Sequence, residues 1–189
     1  MKKLGLLLTA VILSIATFAQ WKADPYHSKL GFTVTHLGIA DVPGYFGKYD
    51  VTILSEKPDF SDAVVEMTAE INSINTRVEP RDNHLKSADF FDAEKYPTMH
   101  FKSTSIKKKG KNRYELTGNL TMHGVTRQVT VQMLYRGTTA NPNAKGAPVA
   151  GIQITGKIKR SDFGIGDGFK PPMISDEVLI KADGEFGKK

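Results

Sequence analysis

Alternation of apolar and polar residues along most of the chain is the feature that most constrains its fold. Between residues 28 and 36, one set of alternate positions is mainly apolar (Leu30, Phe32, Val34, His36) and the other set is mainly polar (Lys29, Gly31, Thr33, Thr35). A period of two residues places successive side chains on opposite faces of an extended strand, whereas a helix needs a period near 3.6. The segment is therefore predicted to be a β-strand with one apolar face.

Seven further segments show the same alternation. They lie near residues 46–53, 65–71, 98–106, 114–122, 129–135, 152–158 and 178–186. A change of phase near Lys48 indicates a β-bulge in the first of these seven. Eight strands with mostly short connections predict one antiparallel sheet, and closing that sheet into a barrel would remove its exposed edges. An open two-sheet sandwich is the alternative, and an exposed edge would favour a homodimer.

One internal segment does not alternate. Pro80 stands at a plausible first helical position and is followed by a mixed-charge stretch as far as Lys86. Proline is tolerated there because the first helical N–H has no acceptor within the helix. The sequence therefore predicts one short helical insertion, followed by a turn that ends at Pro97. The fold class is all-β: an eight-stranded antiparallel barrel with one short helix.

The first nineteen residues have the features of an export signal. Lys2 and Lys3 precede an apolar run from Leu4 to Phe18, and Ala19 ends a small-x-small cleavage pattern. A retained membrane anchor is the alternative, although the run is short for a span of about 20 residues. We expect residues 1–19 to be removed, residues 20–189 to form one domain without an integral membrane span, and the product to be periplasmic or secreted.

The positive charge of the chain does not indicate a nucleic-acid partner. Removal of the two signal lysines lowers the formal net charge from +6 to +4. The remaining excess equals four lysines in one short stretch: Lys107, Lys108, Lys109 and Lys111. A cluster of this kind is expected to be a solvated turn rather than a basic face.

The sequence lacks the usual elements of catalysis. There is no cysteine, no GxSxG, no HExxH and no phosphate-binding glycine loop. The five histidines are scattered singly, without the close spacing that metal ligation usually shows. We therefore expect no enzyme activity, no catalytic residue, no metal site and no obligatory cofactor.

An eight-stranded barrel is just wide enough to enclose one small ligand if side chains do not fill it. Large and flexible apolar residues are predicted to face inward: Phe32, Val34, Phe46, Met67, Met99, Phe101, Leu120, Met133, Tyr135 and Ile154. Ala69, Gly118 and Gly156 are small residues in phase with them and would leave room for a ligand. The same residues could also form a solid core, and the alternation does not decide between a cavity and a filled interior.

Four stretches of the chain, taken together and in this order, carry a recognisable pattern. The first runs from Asp24-Pro25-Tyr26-His27-Ser28 to His36-Leu37-Gly38. The second extends from Ile74-Asn75-Thr76 through Asp89-Phe90-Phe91-Asp92 to Phe101-Lys102-Ser103-Thr104. The third and fourth are Gly118-Asn119-Leu120-Thr121-Met122-His123-Gly124-Val125-Thr126 and Arg160-Ser161-Asp162-Phe163-Gly164-Ile165-Gly166. Together these stretches resemble the YceI-like, polyisoprenoid-binding family of exported bacterial proteins. The resemblance covers the chain from about Trp21 to Phe186.

The resemblance implies a lipocalin-like barrel whose long apolar cavity holds an isoprenoid chain, a quinone-type tail or a fatty amide, without catalysis. Its mouth is expected near Phe90, Phe91 and the glycine turn that begins at Phe163. A polar head group would then contact His36, Arg81 or Arg160. Alternatively, Arg160 pairs with Asp162 and fixes the turn.

A carrier that sequesters a long apolar lipid in the cell envelope is the leading hypothesis. The first alternative is a filled barrel that binds an envelope protein through the loop from Gly137 to Pro148, where the chain departs from the family pattern. The second is an enzyme acting on an isoprenoid lipid, which would need His36 or His84 beside a carboxylate. The sequence does not name the lipid.

Overall fold

A computed structural model describes residues 19–189, so the predicted signal lies outside the described residues except for Ala19. It contains one α-helix, α1 (Glu79–Lys86), and ten strands. The strands are β1 (Gln20–His36), β2 (Ala40–Phe46), β3 (Tyr49–Leu54), β4 (Val64–Glu70), β5 (Ile74–Asn75), β6 (Thr98–Gly110), β7 (Arg113–Met122), β8 (Val125–Ala140), β9 (Pro148–Lys159) and β10 (Glu177–Lys188). The predominance of strands confirms the all-β prediction.

The sheet is antiparallel and closes on itself. Its strand order is β10-β9-β8-β7-β6-β4-β3-β1-β2-β5, and β10 also pairs with β1. Strands β2 and β3 share one position, because β2 pairs with the second half of β1 and β3 with its first three residues. The result is the predicted barrel of eight strand positions. Its closing seam, between β10 and β1, is paired.

The element boundaries differ from the sequence prediction in several places. The strand predicted over residues 46–53 with a bulge near Lys48 is two strands, β2 and β3, separated by a bend at residues 47–48. β1 begins at Gln20 instead of Ser28, because residues 24–27 form a bulge that interrupts the alternation. β8 continues past Gly137 to Ala140, so the connecting loop is 141–147 and not the whole predicted interval. Pro80 is the second helical residue, since α1 begins one residue earlier.

One end of the barrel interior is filled by an aromatic cluster, which we define as Trp21, Phe60 and Tyr135. Phe60 comes from the loop between β3 and β4, adopts a φ of +58°, and is buried. Its ring centroid lies 5.1 Å from that of Trp21 and 4.9 Å from that of Tyr135. Tyr114, which is also buried, donates its hydroxyl to the carbonyl of Asp59 and so holds the loop inward. This end of the barrel is therefore a conventional core.

Helix α1 lies at the other end, and local hydrogen bonds fix it there. The buried carboxylate of Asp82 accepts hydrogen bonds from the backbone N–H and hydroxyl of Thr76, at 2.8 and 2.6 Å. After the helix, the N–H of Phe91 donates to the carbonyl of Leu85 and that of Ala93 to Lys86. These bonds fold the segment 87–93 back against α1, which brings Phe90 and Phe91 to the barrel interior.

Candidate functional site

The helical end of the barrel contains an apolar cavity of about 400 Å³. Its walls are the inner faces of the strands together with α1 and the segment 165–174. Eight of the thirteen residues predicted to form the cavity or its mouth line it: Phe32, Val34, Phe46, Met67, Phe90, Phe91, Met99 and Leu120. The three predicted head-group residues, His36, Arg81 and Arg160, line it as well. The arrangement can exclude water from an apolar chain.

The other five predicted residues do not line the cavity. Tyr135 belongs to the aromatic cluster, and Met133 and Ile154 are register partners in adjacent strands. Phe101 and Phe163 are buried in the packed core. Alternation identifies the inner face of a strand but not the height along the barrel axis, and this height decides whether a residue lines the cavity.

The small residues do not leave the room that the sequence suggested. A Cβ atom added at Gly118 would lie 2.6 Å from a ring atom of Phe101. At Gly156 it would lie 2.6 Å from a methyl group of Val131. Neighbouring side chains therefore cover both glycines, and the cavity is formed elsewhere.

Several lining residues were missed by the sequence analysis. Some are in phase with the predicted strands and could have been found by extending the alternation: Leu30, Met122, Ile158, Val178 and Ile180. Others come from α1 and the segment 165–174, which carry no periodic signal: His84, Leu85, Ile165, Phe169, Met173 and Ile174. Their positions depend on how these segments fold across the barrel end.

An aromatic group joins α1 and the segment 165–174 at the mouth. The rings of Phe90 and Phe169 are stacked with their centroids 4.8 Å apart. His84 approaches both rings edge-on, at 5.0 and 5.3 Å. Gly166 has a φ of +66°, and a Cβ there would lie 2.7 Å from the Phe90 ring, so this position requires glycine.

Arg160 holds the segment 165–175 and has no donor left for a ligand. Its side chain is buried and donates to five backbone carbonyls, those of Ile165, Gly166, Phe169, Ile174 and Ser175. A guanidinium group has five N–H donors, and all five are used. The expectation of a head-group contact is therefore wrong for Arg160. The alternative was right that Arg160 fixes the turn, although it does so through carbonyls and not through Asp162.

Arg81 has free hydrogen-bonding capacity. Its Nε donates to the hydroxyl of Thr76 at 2.7 Å, and its Nη2 donates to the Thr76 carbonyl at 2.9 Å. Within residues 19–189 its Nη1 makes no hydrogen bond and the side chain has no carboxylate within 4.0 Å. His36 lies at the cavity edge, where its backbone forms an isolated bridge with Ile174. Both residues can meet a polar group at the mouth.

Two lining residues are paired with carboxylates. His84 Nε2 lies 2.8 Å from a carboxylate oxygen of Asp89, which is the pairing that the enzyme alternative required. Thr76 is the one hydroxyl-bearing residue among the described residues that line the cavity. Its hydroxyl donates a hydrogen bond to Asp82 and accepts one from Nε of Arg81.

A separate polar cluster lies at the β1 bulge, outside the cavity lining. The Asp24 carboxylate is 2.8 Å from Nδ1 of His27, and Glu185 lies 3.9 Å from the same nitrogen. The hydrogen bond to Asp24 raises the pKa of His27 above its ordinary value, and the same bond lowers the pKa of Asp24. All three residues are partly or fully exposed, and no ion was predicted here.

No helix within residues 19–189 is both long and apolar enough to cross a membrane.

Comparison with known proteins identifies the same relationship as the four sequence stretches. The family model described as YceI-like domain matches residues 21–186. The "Protein YceI" of Salmonella arizonae is 35% identical over 190 residues, covering 97% of this chain and 98% of the relative. The "Protein YceI" of Salmonella dublin has the same identity and coverage.

Solved structures share the fold. BcnA of Burkholderia cenocepacia superposes with a TM-score of 0.75 at 26% identity, covering 88% of this chain and 99% of that one. The Campylobacter jejuni YCEI protein gives 0.74 at 32% identity, with 82% and 90% covered. A polyisoprenoid binding domain from Saccharophagus degradans gives 0.69 at 15% identity, with 92% and 100% covered, which shows the likeness of fold alone.

Proposed function

This chain belongs to the YceI-like family, and from this membership and the cavity we propose that it binds and sequesters one apolar lipid chain without chemically altering it. The observation that carries the proposal is the division of the barrel interior. The aromatic cluster fills one end, and the apolar cavity of about 400 Å³ occupies the other, beneath α1. The polyisoprenoid-binding neighbour with the same fold supports the lipid class.

The cavity volume sets the length of chain that it can enclose. An apolar cavity of about 150 Å³ is known to accommodate benzene, so about 400 Å³ corresponds to roughly 16 carbon atoms. Burial of that many carbons at about 0.8 kcal/mol each gives a gross gain of roughly 13 kcal/mol. This gain exceeds the lower estimates of the cost of association, which start near 4 kcal/mol. An isoprenoid tail, the tail of an isoprenoid quinone and a fatty acyl chain all meet this description.

The polar end of the lipid would lie at the mouth. Arg81 offers unused N–H donors there, and His36 is at the same edge. The guanidinium of Arg81 is held in place by two hydrogen bonds to Thr76, so little conformational freedom is lost when a ligand oxygen binds. The predicted signal in residues 1–19 supports a location in the cell envelope, periplasmic or secreted.

Mass spectrometry tests the proposal directly. The protein would be purified from its native host without detergent, and its mass recorded under native and then denaturing conditions. We expect a stoichiometric apolar adduct that is released on denaturation. Its mass identifies the lipid and separates a prenyl quinone from a fatty acyl compound.

Two variants of neighbouring β1 residues link the adduct to the cavity. Val34→Trp places a large ring where Val34 lines the cavity, and we expect the adduct to be lost. Thr33→Trp introduces the same ring one position along the strand, where the side chain points to the outer face, and should keep the adduct. Repeated wild-type preparations that show the mass of the protein alone, without an adduct, would contradict the proposal and favour the protein-interaction alternative. Retention of the adduct by Val34→Trp would place the lipid elsewhere.

A further inference from the structure

Exposed apolar side chains are concentrated around the mouth of the cavity. Six large apolar residues of the described chain are strongly exposed, and three of them lie on the two turns at this mouth. Leu37 is 52% exposed, Ile39 85% and Met173 49%. We call these three residues the mouth patch. Exposed apolar groups of this kind cost free energy in water and indicate a surface that is covered in function.

Backbone contacts join the two turns into one surface. The N–H of Leu37 donates to the carbonyl of Met173 at 3.1 Å. A Cβ built on Gly38 would lie 3.8 Å from Cβ of Pro172. Met173 also lines the cavity. The mouth patch is therefore continuous with the apolar interior, and an occupant of the cavity would pass beside it.

The charges around the mouth are mixed and do not favour an electrostatically driven contact. The three segments that form the rim, residues 37–42, 76–86 and 165–174, carry four basic and four acidic side chains. The basic ones are Arg77, Arg81, Lys86 and Lys170, and the acidic ones are Asp41, Glu79, Asp82 and Asp167. Their formal charges cancel, which favours a partner that is recognised through apolar contact.

We propose that the mouth patch docks on a zwitterionic lipid bilayer and inserts Leu37, Ile39 and Met173 below the head groups. A neutral rim with apolar side chains at the tips of two turns matches such an interface, where apolar groups are buried by about 5–10 Å. The choice of a bilayer rests on the proposed function in one respect: a lipid that enters the cavity is itself a resident of a bilayer. Docking would let the apolar chain of the lipid pass between the bilayer and the cavity without crossing water.

Vesicle flotation tests the docking surface. Protein from the native host would be mixed with phosphatidylcholine vesicles, and the bound fraction measured against lipid concentration. We expect binding that is unchanged between 0.05 and 0.5 M salt and unchanged when anionic lipid is added, because the rim is neutral. Each of Leu37→Ser, Ile39→Ser and Met173→Ser should weaken binding by about tenfold, the scale set by burying one aliphatic side chain.

Tyr26 supplies the matched control. It is 91% exposed but lies in the β1 bulge, roughly 30 Å along the strand from the mouth patch. Tyr26→Ser should leave vesicle binding unchanged. Absence of binding by the wild-type protein, equal loss in the Tyr26 variant, or loss of binding in 0.5 M salt would each overturn the docking surface. The mass-spectrometric adduct is read on the same samples, so a failure to dock is distinguished from a failure to hold lipid.

Discussion

Replacement of Arg160 is expected to release one wall of the cavity mouth while the barrel stays folded. The buried guanidinium binds five carbonyls of the segment 165–175, which connects the end of β9 to β10. Arg160→Met removes all five donors with little change in the length of the side chain. Arg160→Lys keeps the charge but offers at most three donors from a single atom, so it should show a smaller effect.

The magnitude follows from what the freed carbonyls can do. A hydrogen bond from a charged donor contributes about 1.5–3 kcal/mol, so five bonds set an upper limit of roughly 7–15 kcal/mol if every carbonyl remained buried. That limit equals the whole stability of a typical domain, about 5–15 kcal/mol. The segment 165–175 can instead open and let water bind its carbonyls. The loss is then limited to the free energy of local opening, which we put at about 2–4 kcal/mol.

Hydrogen exchange measured by mass spectrometry reads this local opening. In Arg160→Met, amides of the segment 164–176 should exchange between about 30-fold and about 1,000-fold faster, the equivalent of 2–4 kcal/mol. Amides of β7 and β8 serve as the internal control and should keep wild-type rates. Unchanged protection of the segment would refute the role assigned to the five bonds. Equally faster amide exchange throughout the barrel would show that the five Arg160 hydrogen bonds stabilise the whole fold and not only the segment 165–175.

Three further results are expected from single substitutions. Phe60→Ala should lower the free energy of unfolding in urea by about 3–5 kcal/mol, because it removes the central ring of the aromatic cluster; a loss below 1 kcal/mol would show that the loop repacks. Gly118→Ala should cost about 1–3 kcal/mol in the same assay, since its Cβ would lie 2.5 Å from a backbone carbonyl, and an unchanged midpoint would contradict this. Asp24→Asn should lower the pKa of His27, measured by NMR titration of its ring protons, because the Asp24 hydrogen bond raises it. The raised pKa of His27 favours the folded state at low pH, and this contribution disappears as the pH rises through the pKa of the folded state. An unchanged pKa of His27 in the variant would show that its hydrogen bond to Asp24 is not formed in solution.

The strands could be predicted because their signal is local. Alternation depends on nearest neighbours in the chain, and it identified all eight barrel positions. The change of phase near Lys48 marks the place where β2 ends and β3 begins, although it was interpreted as a bulge within one strand. It failed at residues 24–27, where a bulge shifts the register and conceals the first part of β1. It also placed the 137–148 loop too early, since Gly137 reads as a turn residue but occupies a bulge within β8. In each case a backbone irregularity broke the period without ending the strand.

The cavity was harder to predict, because it depends on which end of the barrel a side chain reaches. Phe60 appears in the sequence as one aromatic residue within a polar loop, and nothing local shows that it folds into the barrel. Its insertion is what fills the end where Met133 and Ile154 lie. The same difficulty applies to polar groups such as Arg160. The sequence predicts a cation near the mouth, but only the folded structure shows that backbone carbonyls occupy all of its N–H donors.

The half-filled interior also explains how this barrel can tolerate a cavity at all. At about 24 cal/mol per Å³, an empty space of 400 Å³ inside a packed core would correspond to roughly 10 kcal/mol, as large as the net stability of many domains. The strand pairing around the whole barrel and the aromatic cluster at the filled end contribute stability that offsets this cost. A ligand that fills the cavity recovers part of the lost contact energy. Under the proposed function, the residues that enclose the ligand lie at one end of the barrel and the aromatic cluster fills the other, while the buried lining residues belong to the same core as that cluster.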